Sequence, residues 1–289
     1  ISDSFAFSVG GGINKRDGFL TNGANGDDIN DRDRWFTRGQ LLFDNGGPLR
    51  VRVIGDYDKI EERCCGVLNV APSAEIGAIQ LLGGQVNDFR NNPDGDVVFT
   101  DVDPINNVEN YGISGQVDYD FGALGLTSIT AYRELHNFQD QDVDFTGLDF
   151  IREVRDQDVE TFTQEFRLTS NFDGPFNFLL GGIYAESEVG ENSYYVNNFG
   201  LDYASAILGT FSAFGAGAPP SYLATSMYRN NTTDFKLESF GIFGEVYVDI
   251  TDRLQFTGGI RYNDDSKSVA ARTTYASFLN PFGNGEPFT

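Results

Sequence analysis

The sequence predicts an all-β chain: an antiparallel up-and-down segment of a transmembrane β-barrel, contributing about nine strands to a larger wall. Three observations predict it. Stretches near ten residues long alternate apolar and polar side chains at period 2, as "SFGIFGEVYVDI" and "LQFTGGIRYNDD" do on either side of Thr251-Asp252-Arg253. The connections between such stretches are alternately tight and long. No run of about 18 apolar residues offers a spanning helix, and mean hydropathy is only −0.30.

The strands are expected, in order, at 3–12, 33–44, 48–58, 110–121, 124–135, 159–170, 175–187, 237–250 and 254–264. On 48–58, Leu49, Val51, Val53 and Tyr57 oppose Arg50, Arg52, Asp56 and Asp58. On 110–121, Tyr111, Ile113, Val117, Tyr119 and Phe121 oppose Ser114, Gln116, Asp118 and Asp120. On 124–135 the apolar Leu126, Ile129 and Leu135 change phase, which predicts a bulge or a different boundary. On 159–170, Phe162, Phe166 and Leu168 share a face with Gln164, against Thr163, Glu165 and Arg167. Phe176, Phe178, Leu180 and Tyr184 line one side of 175–187. In the last hairpin Phe240, Ile242, Val246, Val248 and Ile250 continue into Leu254, Phe256, Ile260 and Tyr262. Strands of globular proteins average about 5–6 residues, whereas crossing a bilayer takes about 9–11. Tyr57, Tyr111, Tyr132, Tyr184 and Tyr262 lie near strand ends, where interfacial rings belong.

Asn45-Gly46-Gly47, Gly122-Ala123, Phe172-Asp173-Gly174 and Thr251-Asp252-Arg253 are the tight turns. The long connections are 13–32, 59–109, 136–158 and 188–236, with another opening after Asp264. Outer-membrane barrels separate short periplasmic turns from long extracellular loops in this way, and a soluble sandwich has no reason to. The apolar face is therefore expected to meet lipid and the polar face water.

Charge and motifs exclude several functions. The 289 residues carry a net charge of −23, which excludes a nucleic-acid partner and favours neutral or cationic ligands, or anions bridged by divalent metal. His136 is the lone histidine, so a histidine-based triad could be built around nothing else, and no multi-histidine metal site is available. "VGGGINK" (Val9–Lys15) has the glycines but not the spacing of a phosphate loop. No catalytic residue, no enzyme activity and no cofactor is expected. The only cysteines, Cys64 and Cys65, are adjacent: two loop thiols or one local bridge. The start at Ile1, with neither initiator Met nor signal peptide, and the turn-like "GNGEPFT" ending are those of a portion of a longer protein.

"TSITAYRE" (Thr127–Glu134), "FTQEFRLTSN" (Phe162–Asn171), "LLGGIYAESE" (Leu179–Glu188) and "FGIFGEVYVDITDRLQFTGGIRYNDDSK" (Phe240–Lys267) resemble the barrel region of TonB-dependent outer-membrane receptors. "NKRDGFLTNGANGDDINDRDRWFTRGQLLF" (Asn14–Phe43) is similar to a loop-and-strand pair of that family. The resemblance implies a bacterial outer-membrane location and a barrel of about 22 strands. It further implies a plug domain inside the lumen and uptake of ferric siderophore, cobalamin, haem or oligosaccharide, driven by the TonB complex. Plug, TonB box and closing strand are not among these residues, so all of 1–289 is expected to be barrel wall and loops. Lipid and lipopolysaccharide would be its outer partners. A passive porin-like channel, and a secreted acidic β-sandwich or calcium-binding adhesin, are the alternatives.

Lumen-facing candidates are Arg50, Arg52, Gln116, Asp118, Glu165, Arg167, Glu245 and Arg261, the last two expected as diagonal neighbours across their hairpin. Ligand-facing loop candidates are Tyr194, Tyr195, Asn197, Asn198, Phe199 and Tyr203, since aromatic faces among amides suit stacking on a sugar or siderophore ring. Ala204–Gly217 is read as a short helix beside them. Asp140, Asp142 and Asp144 are weak calcium candidates; the first glycine after them, Gly147, does not sit where an EF-hand needs it.

Overall fold

The structure, a computed structural model, describes residues 2–69, 74–87, 95–149, 151–197 and 226–277. In chain order the first elements are β1 (Phe5–Arg16), β2 (Leu20–Asn22), β3 (Asp28–Ile29), β4 (Arg32–Asp44), β5 (Leu49–Glu62), α1 (Ala74–Leu81) and β6 (Val97–Val98). There follow β7 (Ile105–Asp120), β8 (Leu124–Asp142), β9 (Ile151–Ser170), β10 (Phe176–Asn197), β11 (Ser226–Thr251), β12 (Leu254–Ser268) and β13 (Ala271–Ser277).

All nine expected strands are present and form one antiparallel meander, β1-β4-β5-β7-β8-β9-β10-β11-β12. β13 pairs with the far part of β11 and so carries on the line of β12. Two of the tight turns share one device. Gly46 and Gly122 take φ of 72° and 88°, a region that favours glycine. The carboxylates of Asp44 and Asp120, two residues earlier, accept their amides at 3.0 and 2.6 Å.

The strands run well past their expected ends on the loop side, so the loops are shorter than the alternation of side chains implied. The 136–158 connection contracts to 143–150, and much of 188–236 is ladder. The physical reason lies in stretches such as "REVRDQDVE": polar on both faces, they have no amphipathic contrast, yet backbone hydrogen bonds extend them regardless. No bulge interrupts β8, whose pairing with β7 and β9 is uniform. Leu126 belongs to the apolar face, while Ile129 and Leu135 belong to the polar one.

Register places the main apolar row of each strand on the same side. The apolar interval is Phe5–Ile13 on β1, Trp35–Phe43 on β4, Leu49–Tyr57 on β5 and Tyr111–Tyr119 on β7. It is Leu124–Tyr132 on β8, Phe176–Tyr184 on β10, Phe240–Val248 on β11 and Leu254–Tyr262 on β12. Each counts nine residues inclusively, within the span that crosses hydrocarbon. These side chains meet no second sheet, and Ile13 and Ile260 are 81% and 82% exposed. A sandwich would have buried them against one another.

The aromatic ends form a girdle. Trp35 lies 5.0 Å from Tyr57, Tyr57 6.4 Å from Tyr111, and Phe162 6.4 Å from Tyr184, measured between ring centroids. Its level moves in steps. Ile13 faces Trp35, but Tyr57 faces Thr37; Tyr111 faces Tyr57, but Tyr132 faces Ile113. Phe162 faces Tyr132, but Tyr184 faces Gln164; Phe240 faces Tyr184, but Tyr262 faces Ile242. Four steps of two residues, always toward the tight-turn end, accumulate over the eight junctions. At about 3.3 Å per residue and about 4.8 Å per strand, that offset is a tilt of about 35°. Membrane barrels tilt their strands by about 35–45°.

Beyond the girdle the wall reverses polarity. On the formerly apolar side stand Glu109, Glu134, Asp156, Asp158, Glu160, Glu186, Glu188 and Glu238, and the girdle hydroxyls reach up to them: Tyr132 donates to Glu134 at 2.6 Å and Tyr184 to Glu186 at 2.6 Å. On the opposite side Leu135, Val159, Val189 and Phe235 face one another across four strands.

The one hydrophobic core cluster among the described residues lies in the loops. β2 and β3 from the first long connection and β6 from the second form a small sheet, with β2 and β6 parallel. Leu20, Ile29 and Val98 are buried there, backed by Leu68. Asn22 ties the two connections together, donating to Thr100 O at 3.0 Å and Thr100 Oγ1 at 2.9 Å.

Candidate functional site

The polar face of the sheet is a wall of cross-strand hydrogen bonds. Arg52 donates to Gln116 at 2.9 Å, Gln116 to Asp118 at 2.9 Å, and Thr127 to Asp118 at 2.7 Å, joining β5, β7 and β8. Arg50 lies 3.7 Å from Asp44, and Arg167 pairs with Glu165 along its own strand. Glu245 and Arg261 are diagonal as expected, since Glu245 faces Gly259 and Phe243 faces Arg261. They make no ion pair. Arg261 sits 5.7 Å over the Phe243 ring and donates to Asn263 at 2.7 Å, while Glu245 accepts from Tyr247.

Two further clusters escaped the sequence reading. Arg133 forks onto Asp56 at 2.8 and 2.9 Å and onto Asn110 at 2.7 Å, and Asn110 donates to Asp58 at 2.7 Å. The signal was the phase of β8, which puts Arg133 on the polar side. Glu62, 3% exposed, takes Arg32 at 3.1 Å and Arg34 at 2.8 Å. The Arg34 guanidinium holds its carboxyl below the usual range against the cost of burial.

Each of these charged groups thus has a hydrogen-bonding, ionic or aromatic partner. This face is a hydrated surface offering donors and acceptors to a solute, and it holds no nucleophile–base arrangement among the described residues.

Of the ligand-facing candidates, Tyr194, Tyr195 and Asn197 lie in the ladder of β10, facing Arg229, Tyr228 and Ile151 respectively, and not on a loop. Asn198, Phe199, Tyr203 and the stretch Ala204–Gly217 fall outside the described residues. Cys64 and Cys65 are bonded to each other in the connection after β5.

The aspartates read for calcium go separate ways. Asp140 accepts from Arg152 Nε at 2.7 Å. Asp142, 2% exposed, caps the next turn by accepting the amides of Asp144 and Phe145, each at 2.9 Å. Burial, then the Asp144 carboxylate, pushes Asp142 up to about 8. Nearby Asp101 is pushed up to about 6 by burial, then by Asp149 and Asp144. His136 lies on the other face of the wall, its Nδ1 2.7 Å from Asp158.

A single-layer, girdled and tilted wall, apolar outside and hydrogen-bonding inside, defines the outer-membrane barrel class. The family model for TonB dependent receptor-like β-barrels matches residues 70–285. The chain belongs to that family, whose members are bacterial outer-membrane proteins. Solved structures share the fold. The ferric yersiniabactin uptake receptor FyuA of Yersinia pestis superposes with a TM-score of 0.65 at 15% identity, over 100% of this chain and 37% of its own. The ferric-catecholate import receptor Fiu of E. coli K12, closed form, gives 0.54 at 14%, over 99% and 40%. The siderophore receptor PiuA of Acinetobacter baumannii gives 0.51 at 14%, over 96% and 44%. The chain thus spans less than half the length of these receptors. A comparison with curated proteins found no match.

Proposed function

We propose that the complete protein is a TonB-energised outer-membrane receptor for a scarce, bulky nutrient, with residues 1–289 supplying part of its barrel wall and ligand-facing loops. The observation that carries this is the family match over most of the chain, on a wall whose girdle and tilt fit a bilayer. The nutrient in this reading is a ferric siderophore, supported by the ferric yersiniabactin, siderophore and ferric-catecholate receptors that share the fold. Cobalamin, haem and oligosaccharides are the other members of the class. In this reading a plug domain and the TonB complex are partners of the complete protein, and Arg52, Gln116, Asp118 and Arg133 face the plug or the passing solute. Glu165, Arg167, Glu245 and Arg261 line the same lumen.

Deleting the parent gene and supplying each nutrient in turn tests the reading. Growth on one iron, cobalamin or glycan source is expected to fail, and labelled uptake of that nutrient to stop when TonB is removed or the proton gradient collapsed. Unimpaired growth on every source overturns nutrient import. Uptake that persists without TonB replaces it with passive conduction through a porin-like channel.

A further inference from the structure

His136, Asp156 and Asp158 play no part in the lumen. His136 and Asp158 face each other across β8 and β9, and Asp156 follows on the same side. His136 and Asp158 stand four residues beyond Tyr132 and Phe162, or about 13 Å of strand above the girdle on the lipid-phase face, and Asp156 two residues further. One ligand atom from each lies within 4.8 Å of the others. Asp158 Oδ1 is 2.7 Å and Asp156 Oδ1 3.8 Å from His136 Nδ1. The Asp156 side chain is 47% exposed, but its Oδ1 is turned inward and has no hydrogen-bond donor. A carboxylate oxygen in that state has a lone pair free for a donor or a bound cation.

Neighbouring lysines do not supply one. Lys59 is held by Glu61 and Glu109, and Lys236 by Glu186, Glu188 and Glu238. Among the described residues His136 is the sole ion-pair partner of Asp156 and Asp158. Glu109, Glu134 and Glu160 surround the group and concentrate cations at it.

We propose that His136, Asp156 and Asp158 form a binding site for a divalent first-row transition ion, of the zinc class, that staples β8 to β9 on the outer wall. One imidazole and two carboxylates suit such an ion, whereas calcium and magnesium take all-oxygen sets. Bonds of about 2.1 Å at tetrahedral angles set ligand atoms about 3.4 Å apart, between the two distances observed. The fourth position opens outward, so water or an anionic headgroup oxygen completes it.

The test titrates the complete detergent-solubilised receptor with Zn2+ by calorimetry, and with Co2+ by visible absorption. Expected is a site of one ion per chain that His136→Ala and Asp156→Asn each weaken by about tenfold or more. Magnesium in about hundredfold excess leaves it filled. Glu61→Gln, which removes charge without a ligand, leaves it unchanged. Where His136→Ala does not insert, as judged by heat-modifiable mobility, Asp158→Asn takes its place because it keeps an acceptor for the imidazole. Equal affinity in wild type and ligand variants overturns the site, and so does displacement by magnesium, since both describe diffuse attraction to the acidic belt.

Discussion

At the residue scale, Asp142 is the ionisable group most at odds with its surroundings. It is almost wholly buried, its turn depends on it, and the charged groups acting on it, Asp144 and Asp101, are both acids. Its value in the folded chain is raised to about 8, against an ordinary value of 3.8. The folded chain therefore binds the proton more tightly than the unfolded one. The stability this gives is full below the unfolded value and is lost as pH rises through about 8. Amide protection in the surrounding 143–149 turn, after correction for the base-catalysed rise of intrinsic exchange, is expected to fall as pH rises through about 8. Asp142→Asn should flatten the response. An equal fall in the variant would assign it elsewhere.

At the element scale, two substitutions one residue apart separate the faces of β5. Val53 is the centre of the interval Leu49–Tyr57, on the apolar side, and Ile54 points into the lumen. Val53→Arg is expected to cost about 2–4 kcal/mol of unfolding free energy in lipid vesicles. Ile54→Arg should cost no more than about 1 kcal/mol. Equal costs would mean that both faces are wet. The loop sheet can be tested separately. Ile29 is fully buried there, so Ile29→Ala should weaken the packing of β2, β3 and β6 by about 2–4 kcal/mol. Limited proteolysis should then cut 17–31 and 63–104 while the wall strands stay intact. Loss of the whole barrel would show instead that the cap supports the wall.

At the scale of the whole molecule, charge is partitioned by height and by face. The net charge of −23 invited an expectation that anionic ligands are disfavoured. Much of that excess stands outside, on the belt above the girdle that carries Glu109, Glu134, Asp158 and Glu188. Inside, Arg52, Arg133, Arg155 and Arg167 each sit beside a hydrogen-bonding or acidic partner, which leaves the lumen near balance. Net charge is a sum, and a sum holds no information about sides.

The sequence by itself determined the nine strands, their antiparallel order, the tight turns and the side that meets lipid. Each depends on neighbours a few residues away: alternation at period 2, short Gly- and Asp-containing turns, and aromatics near the strand ends. Only the tertiary structure decided how far the strands continue, because ladders persist where both faces are polar and alternation vanishes. It alone showed that Ile129 and Leu135 mark the inner side and not a bulge. It also brought together Arg133 with Asp56 and His136 with Asp156 and Asp158. Those contacts follow from register and from the step of the girdle, which are set by pairing between strands.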